Sequence, residues 1–420
     1  MMCWIMQIYM GFILLTIYVH GYKEEILNAI SRDELFEGIF MPDSQNPIGN
    51  GSLAEIYKGM NMYNKKEVAM KFSKHINDSK NEYKFYSYLK AIDDGTNKIN
   101  VEKFGISPIY YYEIFDTYTL TAISLFECDL WEKKVTSMTI FEDIDALILF
   151  RDFVRQSNYI HSCGIRHDDV SPYNIMLRKG RSFLVDFDGS KKMHEPFGIH
   201  NIRYASRRFH REKNLKREEK SPGLPMDDWE SFLYTMAHIL DVHLPWFRVP
   251  IEEDEKKSKL QYEKIKKQKD DTDETIRQIK IRFERGNRFF YFKQVIYEFA
   301  EDVFKKDARF PRYIYFDELI TKKINELMKQ PEQAVFSWLK DGEIEIAKKD
   351  LKKIKPATAK DIGVPKPVFV AGDYVEPNYE HFIEQKEKMT KIAEKNHQTY
   401  RAKEKLKSCI KNFVSPCNQS

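Results

Sequence analysis

Cysteine is scarce in this chain of 420 residues. The five cysteines, at 3, 128, 163, 409 and 417, include no C-x-x-C pair, so no zinc site is expected. Cys409 and Cys417 are near enough in sequence to bridge in an oxidising compartment, with free thiols at least as strong a reading. Charge of one sign is also missing. With 68 basic and 64 acidic residues the formal charge is only +4, which excludes a general nucleic-acid binder and leaves room only for local basic patches. Aromatics, at 14%, argue against overall disorder. An apolar run from Cys3 to Val19 is interrupted only by Gln7 and Thr16 and has no positive residues before it. It suits a signal peptide cut after Gly21, and then an uncleaved anchor, since a membrane span needs about 20 residues. A wrongly assigned start is the third reading. The expected localisation is the secretory pathway, with the cytoplasm as alternative. Against secretion, Asn50-Gly51-Ser52 is a glycosylation sequon on a loop given a different role below, and Asn77-Asp78-Ser79 is a second sequon.

The most informative stretch is YIHSCGIRHDDVSPYNIML, Tyr159 to Leu177, followed by LVDFD at Leu184 to Asp188. Asp169, Asn174 and Asp186 follow one another at spacings of five and twelve residues. Phosphoryl transfer needs one carboxylate to orient or deprotonate the attacking hydroxyl. It needs an amide oxygen and a second carboxylate to hold Mg²⁺ on the phosphates. These three residues fit those roles in that order.

Upstream, an amphipathic helical pattern runs from Lys23 to Phe40 and is expected to end at Pro42 and Pro47. Next comes IGNGSLAEIYKG, where Gly49 and Gly51 let backbone amides approach phosphates, and a strand continues through Ala54, Ile56 and Tyr57. In EVAMKF, alternation puts Ala69 and Lys71 on one face of a second strand, with Lys71 assigned to the α- and β-phosphates. A helix follows from Asp78 or Ser79, with Tyr83, Tyr86 and Leu89 on one side. Glu82, on another face, is the candidate ion-pair partner of Lys71; a solvated first-turn glutamate is the bland alternative. Ile109 to Phe126 reads as strands leading to a connector. The backbone of Ser124 to Phe126 is expected to pair with an adenine edge, with Ile123 just inside the pocket. Phe141 to Cys163 is a core helix by its period.

In this order the motifs resemble those of the protein kinases, and more narrowly the casein kinase I branch. The branch marks are YIHS at Tyr159, SKK at Ser190, RYAS at Arg203, DDWES at Asp227, LPW at Leu244, LQYEKIKKQK at Leu260 and PRYIYFDEL at Pro311. The resemblance covers about Ile48 to Met328. It implies an α+β, bilobal fold with a mostly β small lobe, a mostly α large lobe, and ATP and Mg²⁺ between them. The implied domains are a signal or anchor at 1–21, an N-terminal extension at 22–47, a kinase domain at 48–330 divided near 126, and a C-terminal extension at 331–420. Asp228 is implied to brace the catalytic loop. The implied activity is serine/threonine protein phosphorylation by a monomer, with possible membrane anchoring through the apolar run. Alternatives are a pseudokinase scaffold and a small-molecule phosphotransferase of the aminoglycoside or choline kinase type.

Several positions depart from the family pattern. Asp168 stands where Arg or Gly is usual, so phosphate capture through that position is not expected. Ser171 replaces a lysine that contacts the transferred phosphate, Asp188 replaces the Gly of D-F-G, Asn201 replaces a threonine that bonds the catalytic aspartate, and Ala54 replaces the third glycine. Basic residues crowd the following segment, including Arg203, Arg207, Arg208, Arg211, Lys213, Lys216 and Arg217. By resemblance they read acidic or primed protein substrates; a solvated loop is the competing view. Ile251 to Arg285 reads as one or two exposed, charged helices. After a linker at Pro356 to Pro367, Tyr379 to Cys409 is helix-like with few apolar anchors, and nothing in it decides where it packs.

Overall fold

The computed structural model describes residues 26–414 apart from 27, 31, 33, 45, 51–53, 94–98, 199–200, 213–214, 216–219, 251–254, 285–287, 307, 333, 340, 353–354 and 357–378. The leader expectation, Gly51 and the linker from residue 357 onward therefore lie outside the described residues, as do Lys213, Lys216 and Arg217. The chain divides into two compact units. One is drawn from Met1–Ser79, Ile109–Leu125 and Ala371–Ser420, the other from Lys80–Pro108 and Phe126–Val370.

The first unit is built on a six-stranded sheet of order β1-β3-β4-β6-β5, with β2 (Gly49–Asn50) paired to β3. The strands are β1 Phe40–Pro42, β3 Ala54–Asn61, β4 Lys66–Ser73, β5 Ile109–Ile114 and β6 Thr119–Ser124. The pairs β3–β4, β4–β6 and β5–β6 are antiparallel. The period of two sorts the sheet into faces. Tyr57, Val68, Met70, Phe72, Leu120 and Ala122 share the face that builds a core with Ile26, Phe36 and Phe40. Ile56, Lys71 and Thr121 stand opposite one another on the other face.

Two expectations change here. The helical pattern does not run through to Phe40. The chain turns over Glu37 and Gly38, both at positive φ, and Phe40 opens a strand in which Pro42 sits at the end. The helix Ile76–Tyr88 starts before its expected cap, and Ser79 is buried inside it, accepting from the Thr119 hydroxyl at 2.7 Å.

The C-terminal helix Tyr379–Val414 belongs to this first unit. Met389 packs on the core cluster and Ala393 is fully buried. The Asn396 amide donates to the Met62 carbonyl at 2.7 Å. Lys386 reaches Glu113 at 2.6 Å and Glu37 at 3.2 Å. Burial works against the Lys386 charge, but the two carboxylates outweigh it and raise its pKa. The tail thus covers the core side of the sheet, opposite to Lys71. Met389→Ala is expected to lower stability by about 1–3 kcal/mol, and deletion after residue 378 by more. Thermal melts of the full chain and the two variants measure it; identical melting of all three would contradict the packing.

The second unit is mainly helical. Its central helix, Asp143–Ser162, is buried on nearly all sides, and polar side chains such as Asp145, Asp152, Gln156 and Ser157 are enclosed along with the apolar ones. Phe150 meets Phe232, Phe292 and Phe299 at 4.8–5.0 Å, and Phe153 stacks on Phe232 at 3.7 Å. The helix start is fixed by polar groups. Asp143 accepts the Tyr291 and Phe292 amides, and Asp145 accepts from Ser337. The helices Pro225–Ile239, Phe292–Phe304 and Tyr313–Leu327 pack around it.

The charged stretch 251–285 forms the helices Glu255–Asp270 and Thr272–Glu284, but they are not simply solvated. Tyr262, Ile265, Ile279 and Phe283 are buried, and so is Lys269. The Lys269 ammonium donates to the Ile202 and Ala205 carbonyls and lies over the Tyr234 and Trp246 rings. Burial pushes its pKa well below the usual lysine value. Among the described residues no helix is long and apolar enough to cross a membrane.

Candidate active site

The loop from His167 to Asn174 is held from beneath by Asp228. Asp228 lies in the first turn of the helix Pro225–Ile239, and it is fully buried. Its carboxylate accepts the backbone amides of His167 and Asp168, each at 2.9 Å, and His161 Nε2 at 2.8 Å. His161 Nδ1 in turn meets the Tyr313 hydroxyl. Burial alone would raise the Asp228 carboxyl. The His161 hydrogen bond and charge, with His167 and its amide, outweigh that and lower it to about 2. The brace therefore carries a full negative charge near neutral pH.

On this support Asp169 is aimed by three contacts. Its Oδ2 and its backbone carbonyl both accept from the Asn174 amide nitrogen, at 3.0 and 2.9 Å. Its Oδ1 accepts the Asn201 backbone amide at 3.0 Å. The departure at Asn201 is thus covered by a main-chain donor, where a threonine side chain was expected. Because Asn174 spends its nitrogen on Asp169, its oxygen is the atom left to face a cation. Ser171 is buried, and its carbonyl accepts the Asn174 amide at 3.1 Å.

Asp186 follows the strand Arg181–Leu184 and adopts φ +66°. Around it, Phe187 lies edge-on to Tyr86 at 5.0 Å and tilts against His167 at 4.7 Å. His167 Nε2 meets the Val185 carbonyl at 2.9 Å, and Asn81 donates to the Asp188 carbonyl at 2.6 Å. The helix carrying Asn81, Glu82 and Tyr86 is thereby tied to the Asp186 turn within the second unit. Glu82 is 4% exposed, which removes the solvated alternative for it.

Among the described residues no three His, Cys, Asp or Glu cluster to hold a metal alone. The donor set of Asn174 and Asp186 does fit a hard divalent cation. Such a cation takes oxygen ligands and keeps the rest of its shell for phosphate oxygens and water.

In the first unit, Lys71 sits on β4 opposite Ile56 and Thr121, and Ala69 lies opposite Ile123. Gly49 pairs with Ile56, and a Cβ there would meet only ordinary contacts, so packing alone does not demand glycine. Ser124 turns its hydroxyl inward to Tyr110 at 3.1 Å, which leaves only its backbone for a ligand. Phe126, in the second unit, packs against Phe183 at 5.2 Å.

The three arginines assigned to substrate part company. Arg207 is taken up internally: its amide and Nε both donate to Glu230, at 2.8 and 2.9 Å, and its guanidinium lies over Phe304. That placement counts against a substrate role for Arg207. Arg208 lies 3.5 Å from Asp227 and is a third exposed. Arg203 makes one long contact, 3.5 Å, to the Val249 carbonyl, and its buried Nε has no hydrogen-bond partner. Motif reading gave no role to His161, Arg166, Glu230 or Lys269. An arginine directly before His167 and the Asp168–Asp169 pair was the available signal. A family model described as Protein kinase domain matches residues 43–313.

Proposed function

The chain belongs to the protein kinase family, and from that premise we propose that it is an active serine/threonine protein kinase of the casein kinase I type. It is a kinase-type phosphotransferase, for which ATP, a divalent metal and protein substrates are implied. The observation that carries the proposal of activity is the doubly oriented Asp169 carboxylate beside an Asn174 whose amide oxygen is left for a cation.

In this reading Asp169 orients the substrate hydroxyl and takes its proton as the bond to phosphorus forms. Asn174 and Asp186 hold the cation, taken here to be Mg²⁺. A bound divalent cation neutralises charge on the phosphate oxygens and fixes their direction. Lys71 contacts the α- and β-phosphates and Glu82 supplies its counter-charge. Gly49 and Gly51 lend amides, Ile56 and Ala69 line the base, and the backbone of Ser124 to Phe126 pairs with its edge. Ser171 leaves the transferred phosphate without the usual lysine, which favours a slow enzyme and, with the departures at Asp168 and Asp188, is what supports the pseudokinase reading. The secretory localisation rests on residues 1–21 and is part of the proposal.

Acidic or primed sequences are the proposed substrates, read by Arg203 and Arg208 rather than Arg207. The full chain with γ-labelled ATP and Mg²⁺ should label an acidic peptide faster than a neutral one. Arg203→Ala should raise KM for the acidic peptide about tenfold, one lost charge-assisted contact, and leave the neutral peptide unchanged. Equal labelling of both peptides removes the specificity. Labelling of small hydroxylated amines instead favours the small-molecule reading. Nucleotide binding with no transfer favours the pseudokinase.

A further inference from the structure

We propose that Arg166, through a buried pair with Asp168, positions the catalytic loop against the segment that follows the metal motif, so that the segment needs no phosphate to be ordered. The kinetic part of this rests on the proposed transfer activity; the structural part does not.

Arg166 is fully buried. Its Nε and Nη2 form a two-pronged pair with Asp168, both at 2.8 Å. The rest of the guanidinium gathers backbone from separate places. Nη1 donates to the carbonyls of Lys192, Met193 and Gly223 at 3.0–3.2 Å, and Nη2 reaches the Glu195 carbonyl at 3.2 Å. The Phe197 ring faces the guanidinium at 5.5 Å. Asp168 completes the tie from the other side. Its Oδ2 accepts the Gly198 amide at 3.3 Å and its own amide is held by Asp228. Asp168 precedes Asp169 in sequence, so whatever fixes one constrains the other.

The strand pairing of Lys191 with Arg166 and Lys192 with Ile165 adds a short ladder. Gly223 shows how tightly the arginine is enclosed. A Cβ there would fall 2.6 Å from the guanidinium carbon, so a larger residue would have to displace the Arg166 head from its partners.

A phosphate-operated segment needs cationic N–H groups left over for the incoming anion. Here every guanidinium nitrogen is already satisfied, its counter-charge comes from within the chain, and the whole pair is shut off from water. The arrangement is complete without a further anion.

The test uses the full chain. Arg166→Met alone would strand the Asp168 carboxylate in the interior, so the informative variant is Arg166→Met with Asp168→Asn. Replacing both members of a buried pair by neutral groups preserves folding far better than removing one, and asparagine tolerates the φ of +63° at this position. The double variant should still fold cooperatively but melt below wild type, because the Lys192, Met193, Glu195 and Gly223 carbonyls lose the Arg166 donor. Its kcat should fall about 100-fold, the scale of a small misplacement of catalytic groups, with KM for ATP unchanged. Amides of residues 192–198 should exchange hydrogen faster. Phosphatase treatment of the wild type should change neither its rate nor that protection. Wild-type kcat and wild-type protection in the double variant would overturn the proposal, as would a phosphatase-treated wild type that loses protection over 192–198. If the wild type transfers no phosphate, the active-kinase reading fails, and the exchange measurements still decide the role of the pair.

Discussion

Asp169→Asn is expected to cut phosphoryl transfer by about 100- to 10,000-fold, the range for loss of a general base, while nucleotide binding persists. Two effects combine. Asparagine cannot take the substrate proton. It also cannot satisfy both neighbours, because Asn201 N–H and the Asn174 amide each donate to a different oxygen of Asp169. One of the two donors must then face an NH₂ group. The substitution therefore disturbs the aim of Asn174 as well as the chemistry at Asp169. Neither Lys71 nor the glycine strand is touched, so a thermal shift with ATP should survive. Measured transfer at wild-type rate in this variant would remove Asp169 from the reaction.

Asp228→Ala is expected to destabilise the second unit strongly, by about 3 kcal/mol or more. Each buried donor left without a partner costs about 1–3 kcal/mol, and the His167 amide, the Asp168 amide and the His161 ring would all lose theirs. Denaturant unfolding would measure the loss. The same carboxylate sets an acid limb. Its folded pKa, about 2, lies below the ordinary 3.8, so its contribution is full above 3.8 and disappears as pH falls toward 2. The alanine variant should show a shallower fall of stability over that window. A variant that melts like wild type, with an unchanged acid limb, would show that the loop is braced elsewhere.

Part of the candidate site was legible, because phosphoryl transfer demands particular residue types at short spacings. Asp169, Asn174 and Asp186 are such a set, and alternation alone put Ala69 and Lys71 on one face of their strand. The long helix at Asp143–Ser162 was legible from its period. What stayed hidden depends on partners far away in sequence. Arg207 reads as one of a crowd of surface cations until Glu230 and Phe304 are seen around it. Lys269 reads as part of a solvated charge run, yet carbonyls and rings from three other segments enclose it. Arg166 needs Asp168, four carbonyls and a glycine to reveal its task. The tail helix has so few apolar anchors that periodicity cannot place it, and its position is set by Met389, Ala393 and polar contacts from Lys386 and Asn396.

The most direct test is transfer of labelled γ-phosphate from ATP to a protein hydroxyl by the full chain with Mg²⁺, run beside Asp169→Asn and Asp186→Asn. The account predicts label on serine or threonine with the wild type and almost none with either variant. Label that appears equally with all three proteins, or with none of them although ATP and Mg²⁺ bind the wild type, would contradict it.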